Sequence, residues 1–434
     1  MAKRNDLPVS PVSSPPLPRW YRLDNAAKIY PATKQRDRNS IYRVCVTLDK
    51  NIMPDILAEA IKDLQPRFPA FFVQLRRGFF WYYFEPADSV DVVEEERTYP
   101  CRPIPVEYGT KPVFRVLYYK DRISLEVFHA VADGTGTMTF LKALILRYLS
   151  LCGYDMESAR WTIPDVRDDP VASEINDSFL KYYQNVGKLS RKEPRAFTYR
   201  VWRDEDERYL RVINGSFSVE SVKWLAGEKG VTLTQYLTAL YILSFANNMS
   251  RSAHKRPVRI SVPVDLRRHF PSTTLRNFSL YVNVGLRVDL DIGIDEILAA
   301  IVPQMVEGLR RDRLLQVFSQ NVRAERTFVL RIAPLFIKNF VLKAVYKIWG
   351  DNRFTSTFSN LGLVELPPSM GAHVRELGFA LGVSPSNPIS ASGISYNGRM
   401  TVCFSSCSPE SGVQTFFFRY LSQNGVEVEV ESNV

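Results

Sequence analysis

The segment that most constrains the fold of this chain runs from Arg122 to Leu149. Residues 122–127 alternate polar and apolar side chains, and this period of two predicts a β-strand that continues to His129 and places its ring on the apolar face. Gly134 then marks a turn, and the residues after it predict an amphipathic helix. A strand, a tight turn and a helix in this order favour an α/β architecture.

His129 is a candidate general base because it ends the predicted strand. The chain has only four histidines among 434 residues, and this one is followed by Asp133 and the predicted helix. A neutral imidazole can accept a proton from an alcohol, amine or thiol, and the positive end of a following helix disfavours its protonated form. A strand histidine is more often structural, however, and Asp133 could either bond the ring or pair with a distant arginine. The residues alone leave both questions open.

The composition predicts a two-domain protein without a nucleic-acid partner. A chain of 434 residues exceeds the usual size of one hydrophobic core. The 56 basic residues outnumber the 46 acidic residues and give a formal charge of +10, but they are dispersed, and no zinc-finger or RNP-type motif accompanies them. An anionic membrane surface or a phosphorylated cofactor therefore remains as the expected partner of a basic surface.

Cysteine usage and hydropathy predict a reduced, cytoplasmic chain. The five cysteines are odd in number and irregularly spaced, which argues against a disulfide framework. Neither the cysteines nor the histidines have metal-ligand spacing, so no metal site is predicted. The N-terminus lacks the apolar core of a signal peptide, and no run of about 18 uncharged apolar residues predicts a membrane span.

The chain divides into four parts by composition and predicted elements. Residues 1–18 are rich in proline and serine and predict a disordered tail. Residues 19–160 predict a first subdomain with two hairpins and two helices, and the charged, proline-containing residues 161–205 predict a linker. Residues 206–434 predict a second subdomain of similar construction, in which the aromatic run Thr415–Tyr420 is a strand.

The stretch EVFHAVADGTGTMTFLKALILRYL, residues 126–149, resembles the motif region of the HHxxxDG acyltransferase superfamily. This superfamily includes chloramphenicol acetyltransferase and the condensation domains of peptide synthetases. Four further segments are similar, in the expected order, to landmarks of its alcohol acetyltransferase branch: residues 23–31, 66–72, 262–283 and 358–367. The first histidine of the family motif is Phe128 here, and strand alternation points this side chain away from His129. The DFGWG signature of the BAHD branch is missing.

The resemblance implies an α/β fold of two chloramphenicol-acetyltransferase-like subdomains, each a mixed β-sheet with flanking helices, which meet at a central tunnel. It implies that His129 is the general base and that Gly134 allows a tight backbone turn. Asp133 would be structural, through a salt bridge for which Arg267 is the candidate partner. Four residues are candidates for stabilising an oxyanion or lining the tunnel: Tyr281, Asn283, Ser359 and Asn360.

The resemblance also implies a monomeric acyltransferase with acyl-CoA as co-substrate and no permanently bound cofactor. The acceptor would be the hydroxyl or amine of a small or lipophilic molecule. Two alternatives stay open. The donor could be an acyl carrier protein, as in a condensation or release enzyme, or the chain could be a non-catalytic descendant that only binds a thioester or a lipid.

Residues 326–349 mix apolar and basic side chains in a way that fits three roles. They could form an amphipathic helix in peripheral contact with an anionic membrane. They could also form a lid over a lipophilic acceptor site, or a core helix whose lysines extend to solvent. The sequence favours the core or lid roles over membrane contact.

Overall fold

The computed structural model describes residues 20–33, 40–106, 109–187, 193–199, 210–250, 255–289, 291–327, 332–349, 352–384 and 387–433, and the predicted proline-rich tail lies outside them. The described residues form fifteen strands and twelve α-helices. The strands are β1 (Tyr21–Arg22), β2 (Ile41–Leu48), β3 (Val73–Arg77), β4 (Tyr82–Pro86), β5 (Val93–Glu95), β6 (Phe114–Tyr119), β7 (Arg122–Phe128), β8 (Arg211–Ser218), β9 (Val258–Asp265), β10 (Ser279–Leu286), β11 (Ser356–Leu363), β12 (Val374–Leu381), β13 (Ile389–Tyr396), β14 (Arg399–Ser406) and β15 (Val428–Ser432). The helices are α1 (Ile29–Thr33), α2 (Pro54–Leu64), α3 (Gly134–Leu151), α4 (Ala172–Ile175), α5 (Ser178–Tyr182), α6 (Val219–Glu228), α7 (Leu233–Ala246), α8 (Ile294–Gly308), α9 (Arg311–Arg326), α10 (Leu335–Trp349), α11 (Pro368–Gly371) and α12 (Gly412–Gln423).

A five-stranded sheet leads the chain to His129, with strand order β12-β2-β7-β6-β5. β6 and β7 form the predicted antiparallel hairpin, in which Phe114 lies opposite Val127. Lys120 in its turn has a left-handed φ of 51°. The predicted β3–β4 hairpin is also confirmed and belongs to a separate three-stranded sheet of order β1-β4-β3.

A seven-stranded sheet contains most of the later strands, in the order β10-β9-β11-β13-β14-β8-β15. One late strand leaves it: β12 pairs antiparallel with β2, and Leu377 lies opposite Val46. The hydroxyl of Ser392 in β13 donates to the carbonyl of Phe379 in β12. β12 therefore belongs to the five-stranded sheet and also contacts the seven-stranded sheet.

α3 is the central helix of the core that the five-stranded sheet covers. Its side chains are buried on most sides, so the helix that follows His129 is more enclosed than its predicted amphipathic pattern suggests. Phe140 stacks on Phe71 with 4.5 Å between ring centroids and meets Phe68 edge-on at 5.3 Å. Removing a packed aromatic ring of this kind costs about 3–5 kcal/mol, so these contacts fix the helix firmly behind the turn.

The prediction of a strand over Thr415–Tyr420 is wrong, because these residues form part of α12. Val413, Phe417 and Leu421 are buried and lie four residues apart, which is helical spacing. Consecutive aromatic residues favour a strand by propensity. Burial of one helical stripe against the C-terminal core outweighs that local preference.

α10, which lies within the segment 326–349, is not buried in the core. Leu335 and Lys338 are buried while Phe336 and Phe340 are exposed. One side of this helix therefore contacts the body of the protein, and the other side faces solvent. Within the described part of the chain, no helix is long and apolar enough to cross a membrane.

Candidate active site

The turn between β7 and α3 is held by hydrogen bonds to its backbone. The N–H of His129 donates to the carbonyl of Ser40 (2.9 Å), and the hydroxyl of Tyr42 donates to the carbonyl of Ala132 (3.0 Å). Phe128 is fully buried in the core, whereas His129 is half-buried. The two neighbouring side chains therefore point to opposite faces of the sheet, as strand alternation predicts.

The hydrogen bonds around Asn277 define which nitrogen of His129 carries the proton. The amide nitrogen Nδ2 of Asn277 donates to Oδ2 of Asp24 (3.2 Å) and to the carbonyl of Ala130 (3.4 Å). Its Oδ1 lies 3.0 Å from Nδ1 of His129. Because an amide oxygen only accepts, Nδ1 must be the protonated nitrogen. Nε2 then has a free lone pair, which is the atom that a general base uses.

Two tyrosine rings enclose the imidazole. Tyr30 stacks on it with 4.6 Å between ring centroids and 16° between planes, and Tyr42 lies at 4.9 Å and 58°. Burial lowers the pKa of His129 below its ordinary value of 6.5, and hydrogen bonding and the charge of Asp133 only partly oppose this effect. The ring is therefore neutral at pH 7, as proton acceptance requires.

Asp24, the partner of Asn277, is a fully buried carboxylate. Removal from water raises its pKa to about 6, and Arg276 opposes the rise only in part, with its Nε 3.7 Å from Oδ2. The other nitrogens of Arg276 donate to the carbonyls of Ile175 (3.1 Å) and Arg22 (2.6 Å). Asp24, Asn277 and His129 thus form a hydrogen-bonded series that ends at the imidazole.

Asp133 holds the turn and not the imidazole. Its carboxylate accepts from Nη1 and Nη2 of Arg267 at 2.8 and 3.2 Å. It also accepts from the backbone N–H of Gly136 (3.1 Å), which caps α3, and from that of Phe278 (2.8 Å). Of the two roles left open by the sequence, the structure places Asp133 in the pairing with an arginine.

Arg267 connects this turn to the loop between β9 and β10. Beyond Asp133, it donates to the carbonyls of Thr274 (2.8 Å from Nη2) and Arg276 (2.7 Å), and to the carboxylate of Asp265 (2.9 Å). An arginine with this many fixed acceptors is rigid and directional. It keeps Asn277, one residue beyond Arg276, in register with the imidazole.

Gly134 and Gly136 permit close approach between segments. Neither residue has a left-handed φ, so backbone conformation alone does not require glycine at either position. A Cβ at Gly134 would lie 2.5 Å from Cδ2 of Leu361, and one at Gly136 would lie 1.9 Å from the carbonyl oxygen of Leu275. The start of α3 can therefore approach the backbone of the β9–β10 loop only without a side chain at Gly136, whereas a side chain at Gly134 would displace the end of Leu361.

Ser359 and Asn360 lie on opposite faces of β11. Asn360 donates through Nδ2 to the hydroxyl of Thr234 (3.1 Å) at the start of α7. Phe358 shares its face and is buried in the C-terminal core. Alternation puts Ser359 on the other face, and Leu361 contacts the start of α3.

Tyr281 and Asn283 share one face of β10. Tyr281 is 54% exposed. Asn283 donates through Nδ2 to the carboxylate of Glu193 (3.0 Å). One of the two amide hydrogens of Asn283 is thus engaged, as is one of Asn360.

Comparison with known proteins identifies the fold. No family model matches the sequence, and a search of the curated proteins finds no related sequence. TRI101 of F. sporotrichioides, solved with coenzyme A and T-2, matches with a TM-score of 0.61 and 12% identity over 94% of this chain and 99% of its own. The first condensation domain of the calcium-dependent antibiotic synthetase matches with a TM-score of 0.59 and 13% identity over 94% of this chain and 99% of its own. The trichothecene 15-O-acetyltransferase TRI3 of Fusarium sporotrichioides matches with a TM-score of 0.58 and 12% identity over 94% of this chain and 95% of its own.

The chain has the two-lobed chloramphenicol-acetyltransferase-like fold. The predicted fold class is confirmed. Its two lobes correspond to the core around α3 and the core beneath the seven-stranded sheet. His129 lies where the first lobe meets the β9–β10 loop and β11 of the second.

Three residues that lie around His129 in the structure were not predicted from the sequence. They are Asp24, Tyr30 and Asn277. A signal for them did exist. The first two lie in residues 23–31 and the third in residues 262–283, two segments that resemble family landmarks.

None of the five cysteines of this chain forms a disulfide in the described residues. Burial raises the pKa of Cys101 and Cys403, so these thiols are poor nucleophiles. In the described ranges, no group of three or more His, Cys, Asp or Glu side chains is placed to hold a metal ion.

Proposed function

We propose that the protein is an acyltransferase that moves an acyl group from a coenzyme A thioester to the hydroxyl or amine of a small or lipophilic acceptor. One observation carries the proposal: His129 is half-buried, neutral and hydrogen-bonded through Nδ1, which leaves Nε2 as a proton acceptor. The fold supports it, since a trichothecene acetyltransferase shares it. Thioester and acceptor would enter the predicted tunnel from opposite mouths.

The reaction is a direct transfer without an acyl-enzyme. Nε2 of His129 takes the proton from the acceptor hydroxyl or amine as the acceptor atom bonds to the thioester carbonyl carbon. The carbonyl oxygen becomes an oxyanion. When this intermediate collapses, the carbon–sulfur bond breaks, the thiolate leaves, and the proton on Nε2 passes to sulfur. The products are the ester or amide and the free thiol, and His129 is neutral again.

Ser359 is the proposed donor to the oxyanion. Its hydroxyl lies on the face of β11 opposite Phe358, and Leu361, two residues later, contacts the start of α3. Asn283 and Asn360 each donate one amide hydrogen, to Glu193 and Thr234 respectively, and Tyr281 is largely exposed, so these three are the weaker candidates. A well-placed oxyanion donor stabilises the transition state by about 3 kcal/mol.

Coenzyme A is the proposed donor because a protein of this fold was solved with it. The basic surface, with a formal charge of +10, suits its phosphates. The competing donor is an acyl group on a carrier protein, since condensation domains of a synthetase share the fold equally well.

Thiol release tests the function. The purified protein is incubated with acetyl-CoA or longer acyl-CoA thioesters and a panel of alcohols and amines, and free thiol is followed over time. We expect acceptor-dependent release, and a loss of about 10²–10⁴-fold in kcat for His129→Ala. His373→Ala is the matched control, because this histidine bonds Asp49 (3.0 Å) outside the site.

Three results would change the assignment. Activity that survives in His129→Ala removes this residue as the base. Turnover with a pantetheinyl carrier protein but with no coenzyme A thioester assigns the carrier donor. Tight binding of acyl-CoA without turnover of any acceptor would favour a protein that only binds thioesters.

A further inference from the structure

An exposed apolar face lies on α10 and the residues just before it. Ile332, Phe336 and Phe340 follow one another at four-residue spacing, and Ile337 and Val341 lie beside them. All five are exposed, with Phe340 at 75% and Phe336 at 62%. Apolar side chains at this spacing normally pack against something.

The opposite side of α10 is attached to the protein body. The N–H of Leu335 donates to the carbonyl of Phe79 (2.8 Å). Nζ of Lys338 donates to the carbonyl of Phe80 (3.0 Å) and lies 3.3 Å from the ring centroid of Trp81. The exposed side is thus presented on a fixed helix.

The tip of the β3–β4 hairpin extends the same surface. Phe79 is 70% exposed and Phe80 42%, and their rings meet edge-on at 4.8 Å. Since Leu335 and Lys338 bond these two residues directly, the hairpin tip adjoins the start of α10. We call the seven exposed apolar residues of α10, its preceding turn and this tip the apolar face.

Basic side chains accompany the apolar face. Arg77 beside the hairpin tip and Lys343 on α10 are exposed. The acidic Glu325 nearby is paired with Lys28. This charge distribution would repel a second copy of the same face, whereas the phosphates of anionic lipids complement it.

We propose that the apolar face docks the protein on the surface of an anionic lipid bilayer, with the phenylalanines inserted below the headgroups and the basic residues on the lipid phosphates. A helix of this kind lies in the plane of the interface. α10 contacts α1, whose Tyr30 stacks on His129, so the helix that carries the apolar face is linked to the candidate base through one element. Docking itself does not depend on acyl transfer.

Vesicle co-sedimentation tests the proposal with the full chain. Vesicles of phosphatidylcholine are compared with vesicles that also contain phosphatidylserine, and the bound fraction is measured across lipid concentration. The protein should bind the anionic vesicles and bind neutral vesicles more weakly. The double variant Phe336→Ser with Phe340→Ser should bind at least about tenfold more weakly to both, since two exposed rings are lost. Trp224→Ser on α6 is the matched control, because Trp224 is 63% exposed elsewhere.

A charge variant separates the two contributions. Arg77→Glu with Lys343→Glu should weaken binding about tenfold on anionic vesicles and leave binding to neutral vesicles unchanged. Failure of the wild-type protein to bind anionic vesicles overturns the proposal. Binding of the double phenylalanine variant as tight as that of the wild type would also overturn it. Self-association without lipid that this variant abolishes would overturn it too, and would assign the apolar face to a second copy of the chain.

Discussion

Two buried carboxylates near the candidate base, Asp133 and Asp24, have unequal partners. Asp133 accepts from both terminal nitrogens of Arg267 and from two backbone N–H groups. Asp24 accepts from the Asn277 amide (3.2 Å) and one backbone N–H, and its nearest guanidinium nitrogen is 3.7 Å away. Burial raises the pKa of Asp24 to about 6.

The difference separates a carboxylate that maintains structure from one that positions the candidate base. Every contact of Asp133 named above goes to backbone or to the arginine that links the turn to the β9–β10 loop. Asp24 orients the amide that bonds the imidazole. Loss of the first should therefore affect folding, and loss of the second should affect protonation and rate.

The largest expected effect is that of Asp133→Asn on stability. The substitution leaves Arg267 buried without its main counter-charge, and breaking such a pair costs about 3–5 kcal/mol in free energy of unfolding. Denaturant titration measures it. Asp265→Asn is the control: this second partner of Arg267 has a side chain 25% exposed, and its removal should cost below about 1 kcal/mol. Equal losses would mean that the two carboxylates hold Arg267 alike.

Gly136→Ala tests how closely the turn approaches the β9–β10 loop. A Cβ there would lie 1.9 Å from the carbonyl oxygen of Leu275, so the backbone must shift, at about 1–3 kcal/mol. Gly227→Ala in α6 is the matched control, because its Cβ would meet nothing within 4 Å. The control should gain about 0.5–1 kcal/mol. Thermal melts of both variants would reveal whether close approach is the reason for glycine.

Asn277→Ala should lower kcat about tenfold and leave KM nearly unchanged, because it removes the hydrogen bond that fixes the tautomer of His129. Initial rates of thiol release over acceptor concentration separate the two constants. Asn247→Ala, at the end of α7, removes an amide bonded only to a nearby backbone carbonyl (3.0 Å) and should leave both constants unchanged. A rise in KM alone would assign Asn277 to acceptor binding.

Asp24→Asn should produce the smallest change, a modest loss of kcat at pH 7, because the neutral amide stands in for a protonated Asp24. The lowered pKa of His129 puts the acid limb of kcat below pH 6.5, and Asp24 titrates at about 6. In the wild type, log kcat should show a small additional fall at about pH 6 as Asp24 takes up its proton, whereas the variant should show the His129 limb alone. A variant whose profile matches the wild type would exclude Asp24 from positioning the base.

Asp24→Asn should also change how the stability of the protein depends on pH. Because the pKa of Asp24 is higher in the folded state, the folded protein binds this proton more tightly. This stabilisation of the folded state is fully present below pH 3.8, the ordinary pKa of an aspartate, and is lost as pH rises through about 6. Melting temperatures of Asp24→Asn across this window should lack the decline.

The local elements around His129 were predictable because their signals are local. A period of two along Arg122–Val127 and a glycine before an apolar helix stripe locate the strand, the turn and α3 without tertiary information. The place of Arg267 beside Asp133 followed from resemblance to a family and not from any pattern in the residues.

The rest of the site depends on contacts that a single sequence does not encode visibly. Asn277 bonds a ring 148 residues earlier and a carboxylate 253 residues earlier. No periodicity relates an amide in one loop to an imidazole after a strand. The strand predicted over residues 415–420 was wrong for a related reason. Burial against a distant core outweighed the local preference of this aromatic run for a strand, and the residues form part of α12.

The placement of β12 has a consequence for how the chain is made. β2 and β7 are synthesised early, but the strand that covers the outer edge of β2 is completed only at Leu381. On the ribosome the first lobe therefore stays unfinished during most of translation, with an open strand edge that can pair wrongly. A ribosome stalled before residue 374 should hold a nascent lobe that proteases attack, and release of the whole chain should protect it.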